Sequence, residues 1–178
     1  QEFLKVKNQF KLGHLVTEKP NPKTIGLSDW SKNNLFHAIK VLKEIDTDVI
    51  SVVNQKLSEL ELLKSEIDSV FKAGGRVFFC GCGATGRLSL ALETIWKQTH
   101  SHQKEKDQVL SFMAGGDVAL IHSIEKFEDF PEFGERQLVE LGFRDGDLLV
   151  ATTEGGETPF VIGATFAAAK ISKRKPFF

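Results

Sequence analysis

The sequence has no tyrosine, one methionine and two cysteines, and its aromatic load falls on 15 phenylalanines that read as core material. Neither sign of charge is in excess: lysine plus arginine number 23, aspartate plus glutamate 24, and the formal net charge is −1. Nucleic-acid surfaces carry a basic excess, so no nucleic-acid partner is expected. A small anionic ligand stays compatible, because backbone amides hold an anion without net charge. No apolar run reaches the ~18 residues that a membrane-spanning helix needs, so no membrane partner is expected. The opening stretch QEFLKVKNQFKLG is charged throughout, has no signal-peptide core and does not begin with methionine, which reads as a trimmed piece. Cys80 and Cys82 form a C-x-C, read as a buried thiol at a strand end and a second thiol in the loop beyond, not as a disulfide. No further cysteine and no ligand spacing nearby offers a metal site, and neither a metal nor a cofactor is expected. A cytoplasmic location is the expectation.

What is present is enough for one domain of ordinary size with a real core: 178 residues, 41% of them hydrophobic. Residues 14–29, HLVTEKPNPKTIGLSD, carry three turn-prone breaks and read as an irregular arm. Ser31 is a plausible N-cap for a helix that puts Leu35, Ile39, Leu42 and Ile45 on one face. A second helix is predicted from about Asp46 to Phe71, with Ile50, Val53, Leu57, Leu60, Ile67 and Phe71 at helical spacing, stopping at Gly74-Gly75. That helix has more apolar positions than half a sheet can cover.

From Arg76 the pattern changes. RVFFC is a continuous apolar strand of the kind buried on both faces of a parallel sheet. A helix follows from about Thr85 to Gln98, then the polar loop SHQKEKDQ and a second strand, VLSFMAGG. Asp117 is expected to cap a short helix containing Val118, Ile121 and Ile124. PEFGERQLVELG reads as a helix and DGDLLVATT as a third strand. The loop EGGETP opens the last helix, with Thr158 as N-cap and Pro159 as first helical residue. A fourth strand begins in KRKPFF. Alternating strands and helices imply an α/β fold with a mostly parallel sheet, whose ligands bind at the carboxyl ends of the strands. The expected organisation is an arm and helix over 1–45 and an α/β domain over 46–178, its sheet incomplete and its C-terminal part missing.

Three loops lie at that edge: GCGATGR, AGGD and TTEGGETP. Gly81, Gly83 and Gly86 form a G-x-G-x-x-G. A dinucleotide site would want an acidic residue roughly 20 positions further on, at the end of the second strand, and that strand ends in MAGG. Dinucleotide binding, a purely structural turn and capture of a smaller phosphate all stay open on these residues alone, with Thr85 as a hydroxyl donor favouring the phosphate. In the third loop Thr152, Thr153 and Thr158 supply hydroxyls and Gly155 and Gly156 supply amides, against the alternative of a plain strand-to-helix turn. Two such loops on neighbouring strand ends suit a phosphorylated sugar. The five histidines share no spacing, although His122 lies near Glu128.

GCGATGRLSL, MAGGDVALIHSIEKFED and TPFVIGATFAAA, in that order and after an arm reading LVTEKPNPKT, resemble the sugar isomerase (SIS) domain family. The resemblance is to the branch that includes N-acetylmuramic acid 6-phosphate etherases and glucokinase regulatory protein. It covers nearly the whole chain and implies a three-layer αβα sandwich that is preceded by N-terminal helices and binds a phosphorylated sugar. It also implies a homodimer, since such domains commonly pair. Gly83, Thr85, Gly86 and Arg87 fall on the family's G-x-G-T-S-G-R loop, with Thr85 for the serine and Ala84 for the threonine. The third loop departs further: where the family often has S-G-R-T-P, this chain has Gly155, Gly156, Glu157, Thr158 and Pro159. Glu128 falls on the second catalytic glutamate of the etherases. Their first, the catalytic acid, falls on Ile95. Glu93, two residues earlier and about 200° around a helix, cannot take its place and reads as a solvated helix charge. The resemblance therefore implies a regulatory, non-catalytic sugar-phosphate binder, with a protein partner if regulatory. The alternative is a lyase (an etherase) or isomerase acting on a sugar 6-phosphate with Glu128 as base.

Overall fold

The computed structural model describes Thr17 and residues 19–122 and 124–178. Residues 14–16 and Glu18 of the expected arm lie outside these. The chain forms two compact units, one ending at Leu60 and the other Glu61–Phe178.

In the first unit a short turn, Pro22–Thr24, is capped by Asn21, which accepts the Lys23 N–H at 2.9 Å. Helix α1 (Leu27–Asn33) and helix α2 (Leu35–Asn54) follow. Asn34 separates them at φ −153°, ψ 72°, and its side-chain oxygen accepts the His37 N–H at 3.1 Å. The cap is thus Asn34 and not Ser31, whose hydroxyl donates to Ser28 O inside α1. Helix α2 also runs unbroken through Asp46, where a new helix was expected. The break comes at Gln55 and Lys56, whose N–H groups bond back to Val52 O and Val53 O. An aspartate in mid-helix lowers propensity slightly but does not end a helix. Ala38 and Val41 are the buried residues of α2, whereas Leu35, Ile39 and Leu42 are exposed.

Helix α3 (Leu57–Lys72) leads into the second unit and ends where Gly74 takes φ +73°, as its glycine pair implies. Strand β1 (Val77–Gly81), helix α4 (Gly83–Thr99), strand β2 (Val109–Met113), helix α5 (Pro131–Glu140), strand β3 (Leu148–Ala151) and helix α6 (Pro159–Ile171) complete it. The strands pair in parallel in the order β2-β1-β3, in register from Val77 opposite both Val109 and Leu148. Phe177 bridges in parallel to Val150 on the far side of β3, where a fourth strand was expected to begin. Asp117 does not cap the turn Gly116–Leu120. Gly115, at φ +81°, holds that position, and the turn is a single 3-10 piece too short to bury Ile121.

Because side chains alternate across each strand, the sheet buries two faces. Val77, Leu148 and Val150 pack with Val70 under Ile67 and Phe71 of α3. Helix α4 covers the same face: Ser111 donates to Glu93, and the Phe71 and Trp96 rings lie 5.0 Å apart. Phe78, Cys80, Phe112 and Leu149 pack on the opposite side against Leu138 of α5 and Phe160, Ala164 and Ala168 of α6. These are the three layers of an αβα sandwich. At the amino ends of the strands, Asp147, buried to 1% exposure, accepts from Arg76 N (2.9 Å), Arg76 Nη2 (2.6 Å) and Arg144 N (3.0 Å). That clamp holds β1 and β3 in register.

Helices α5 and α6 touch backbone to backbone. A Cβ on Gly134 would overlap the Phe160 carbonyl, and one on Gly163 would overlap the Pro131 carbonyl. Gly134→Ala should therefore destabilise the fold by about 1–3 kcal/mol, the cost of overpacking, despite alanine's better helix propensity. Thermal denaturation reads this directly, and a raised melting temperature would contradict the close crossing.

Candidate functional site

The carboxyl edge of the sheet carries the loops. Gly81 ends β1, and α4 begins at Gly83 with Cys82 as its extended N-cap. Gly81 and Gly86 make the turn tight: a Cβ on Gly81 would lie 2.7 Å from Gly86 N, and one on Gly86 would lie 2.6 Å from Met113 Cβ. Gly83 has φ +50° and open space around it, so its amide sits at an uncovered helix start. The Thr85 hydroxyl donates to Cys82 O at 2.8 Å and accepts the Cys82 N–H at 3.2 Å. The hydroxyl singled out as an anion donor thus closes a capping box with its own loop.

Arg87 follows on an exposed turn of α4, its guanidinium reaching Ala119 O at 3.4 Å. Across from it lies the 3-10 turn Glu125–Asp129, which carries Glu128. Gly83, Arg87 and Glu128 line one small cavity with Met113, Ala114, Ala119 and Ile124, about 60 Å³ in volume. That is room for about two waters, so it can take one end of a larger ligand. Glu128 is half-buried there, not a surface charge. Burial pushes the Cys82 thiol up to about 11; the Ala114 N–H on the sulfur opposes this and the nearby Glu128 carboxylate adds to it. Cys80 is buried in the core, and burial pushes its thiol well up too. Both cysteines are free.

The third loop closes on the same edge but not on this cavity. The Thr152 N–H and hydroxyl both donate to Cys80 O, at 2.8 and 2.9 Å, which ties the loop to the end of β1. Thr158 is the N-cap of α6 with Pro159 behind it, yet its hydroxyl pairs with the Thr153 hydroxyl at 3.0 Å instead of capping the helix. Gly155 is half-buried beside the Glu157 side chain, and Gly156 is exposed at φ +78°. Of the eight substrate-binding residues expected from sequence, the cavity gathers Gly83 and Arg87, joined by Glu128.

The other singled-out residues lie elsewhere. Ile95 is 57% exposed on the outer face of α4 and does not line the cavity. His122 is exposed and does not line it either. Glu93 is not a solvated charge: its side chain is 18% exposed, pairs with Lys97 at 2.5 Å and accepts from the Ser111 hydroxyl on β2. The cavity walls Ala119 and Ile124 went unrecognised because one sits in a 3-10 turn and the other in the irregular link before the next, which leave no periodic pattern to read.

A parallel αβα sandwich with a glycine-rich turn opening the helix after β1, and a hydroxyl-and-glycine loop on the next strand end, is an SIS-type domain. Residues 56–169 match the family of the glucokinase regulatory protein N-terminal SIS domain, and the chain belongs to that family. It is 34% identical over 153 residues to N-acetylmuramic acid 6-phosphate etherase of Actinobacillus succinogenes, covering 86% of this chain and 49% of that protein. With the enzyme of the same name from Photobacterium profundum it shares 32% over 161 residues, covering 90% of this chain and 52% of the other. The chain thus spans about half the length of the curated relatives it matches. Among solved structures it resembles phosphoheptose isomerase of Neisseria gonorrhoeae, with a TM-score of 0.45 and 17% identity over 74% of this chain and 70% of that one.

Two outcomes follow from the loop. Thr85→Val removes the capping box and should cost ~0.5–2 kcal/mol of stability, which Thr85→Ser restores in chemical denaturation. At pH 8 the Cys82 thiol, with its pKa near 11, should be alkylated by iodoacetamide ~100-fold more slowly than an exposed cysteine, and the rate should climb tenfold per pH unit up to about 11.

Proposed function

We propose that this SIS domain binds a phosphorylated sugar and leaves it chemically intact, as a regulatory and not a catalytic protein. The observation that carries the reading is the convergence of Gly83, Arg87 and Glu128 on one cavity, with Glu128 the one carboxylate among the described residues that line it. In this reading the amide of Gly83 and the cation of Arg87 meet the phosphate, with Gly86 admitting the close approach of the loop. The Thr85 hydroxyl exchanges Cys82 O for a phosphate oxygen. Thr153, Gly155, Gly156 and Thr158 meet the far end of the ligand. Glu128 accepts hydrogen bonds from sugar hydroxyls. Removal of a lactyl ether needs a base for the proton beside the carboxylate and an acid for the leaving oxygen. Glu128 can fill the first role, but Ile95 cannot donate a proton.

A second reading is favoured by the relatives themselves, which are named as etherases, together with the half-buried Glu128 beside the glycine loop. Here the chain contributes to a lyase or isomerase acting on a sugar 6-phosphate, with Glu128 as base and the acid supplied from elsewhere in a longer protein.

Isothermal titration should show binding of a hexose 6-phosphate and none of NAD at millimolar concentration; the reverse order would sink both readings. Lactate release from N-acetylmuramic acid 6-phosphate then separates them. The first expects turnover ~10²–10⁴-fold or more below that of an enzyme with a positioned acid. Brisk release abolished by Glu128→Gln establishes the second. Gain of activity in Ile95→Glu would support placing Ile95 at the acid position.

A further inference from the structure

Strand β2 borders a cavity of about 300 Å³, at the low end of the roughly 300–1,000 Å³ that ligand sites span. Ser111, Phe112 and Met113 line it, with Leu90 of α4 and Gln137 and Glu140 of α5. Successive side chains of a strand leave on opposite faces. Ser111 donates to Glu93 on the α4 side, and Phe112 packs near Phe160 on the other. A cavity that touches three consecutive residues therefore reaches them from the edge of the strand. With the order β2-β1-β3, that is an outer edge of the sheet.

The ladder fixes which backbone groups this edge carries. Arg76 O and Cys80 O accept from Leu148 N and Thr152 N on the β3 side, and Gly81 O accepts from Ala114 N on the β2 side. Alternate residues of a strand serve opposite neighbours. Leu110, Phe112 and Ala114 therefore turn their N–H and C=O groups toward β1. Ser111 and Met113 turn theirs outward, where no backbone partner stands among the described residues. Groups so placed are a template for one more strand.

We propose that this edge takes an extended segment of a partner protein, added as a strand beside Ser111 and Met113, with a lysine or arginine side chain of the segment in the cavity. Strand addition draws affinity from backbone hydrogen bonds and specificity from a side-chain pocket. Charge names the side chain. Asp117 and Glu140 are both on the cavity, and none of its lining residues is a cation. Gln137 Oε1, also an acceptor, is buried with no hydrogen-bond partner among the described residues. Lysine and arginine bring donors only. Glu140 pairs with Arg136 at 2.7 Å, an exposed pair of the kind that yields readily. Leu90 and Leu141 offer apolar wall to the stem of the incoming side chain. The chain's own next bridge, Phe177 to Val150, lies on the far side of β3, so its sheet grows away from this edge.

The test titrates the isotope-labelled intact chain with a soluble hexapeptide of alternating threonine and valine that carries one central lysine. At millimolar peptide the amide signals of Ser111, Met113, Gly116 and Gln137 should shift saturably, and hydrogen exchange at Ser111 and Met113 should slow. The same peptide with glutamate for lysine should bind about tenfold or more weakly. Asp117→Lys and Glu140→Lys should each shrink that preference and together reverse it, with far-UV circular dichroism unchanged. Methylating the peptide nitrogens that face β2 should abolish binding, and methylating those that face away should not. Shifts that do not saturate, or that avoid Ser111 and Met113, overturn the proposal. So does equal binding of the lysine and glutamate peptides, or indifference to which nitrogens are methylated. Exchange protection of Ser111 and Met113 that rises with protein concentration in the absence of peptide would give the edge to a second copy instead, and also overturns it.

Discussion

The second unit depends on backbone brought into contact where side chains are absent. Gly134 and Gly163 let α5 and α6 cross with carbonyls where β-carbons would otherwise stand, and Gly86 lets α4 press against Met113 on β2. Both contacts have consequences at the carboxyl edge. The first fixes the start of α5, and with it the turn just before it that carries Glu128. The second fixes the start of α4, from which Gly83 and Arg87 face the same cavity. The site is thus assembled by two close approaches on opposite faces of the sheet. Side chains that bond to one another across the cavity have no part in it.

The opposite edge is held by charge. Asp147 is nearly fully buried and satisfied by two backbone N–H groups and by the Arg76 guanidinium, which also lies over the Phe78 ring, 4.9 Å from its centroid. A buried carboxylate without those partners would cost far more than it returns. Here it ties the start of β1 to the start of β3, at the edge of the sheet opposite the loops. The loop edge is polar through amides and hydroxyls, and the opposite edge is polar through a closed ion pair.

Several residues change meaning between chain and fold. Glu93 looks like a helix surface charge, yet its direction on α4 aims it at Ser111 under the sheet. Thr85 looks like a donor for a ligand, and the short loop turns its hydroxyl back on Cys82. Thr158 sits at an N-cap position but bonds to Thr153, because the third loop brings that hydroxyl closer than the helix amides. In each case the residue type permits two partners, and the partner is chosen by a distance that local sequence does not contain.

The alternation of apolar strands and helices, the glycine turn after β1, the proline that opens α6 and the parallel sheet were all legible in the chain, because period and turn chemistry are local properties. So was the family, since its four motifs recur in order. The helix boundaries at Asn34 and Gln55 were not, because several polar residues nearby could cap or break a helix, and Asn34 prevailed through one hydrogen bond. Nor could the sequence say which glycines mark close packing and which mark turns, or that Glu128 would share a cavity with Arg87, 41 positions earlier in the chain. Those are facts of distance between segments. They exist only once the sheet has put β1 beside β2 and the crossing of α5 and α6 has set the turn before α5 at the same edge.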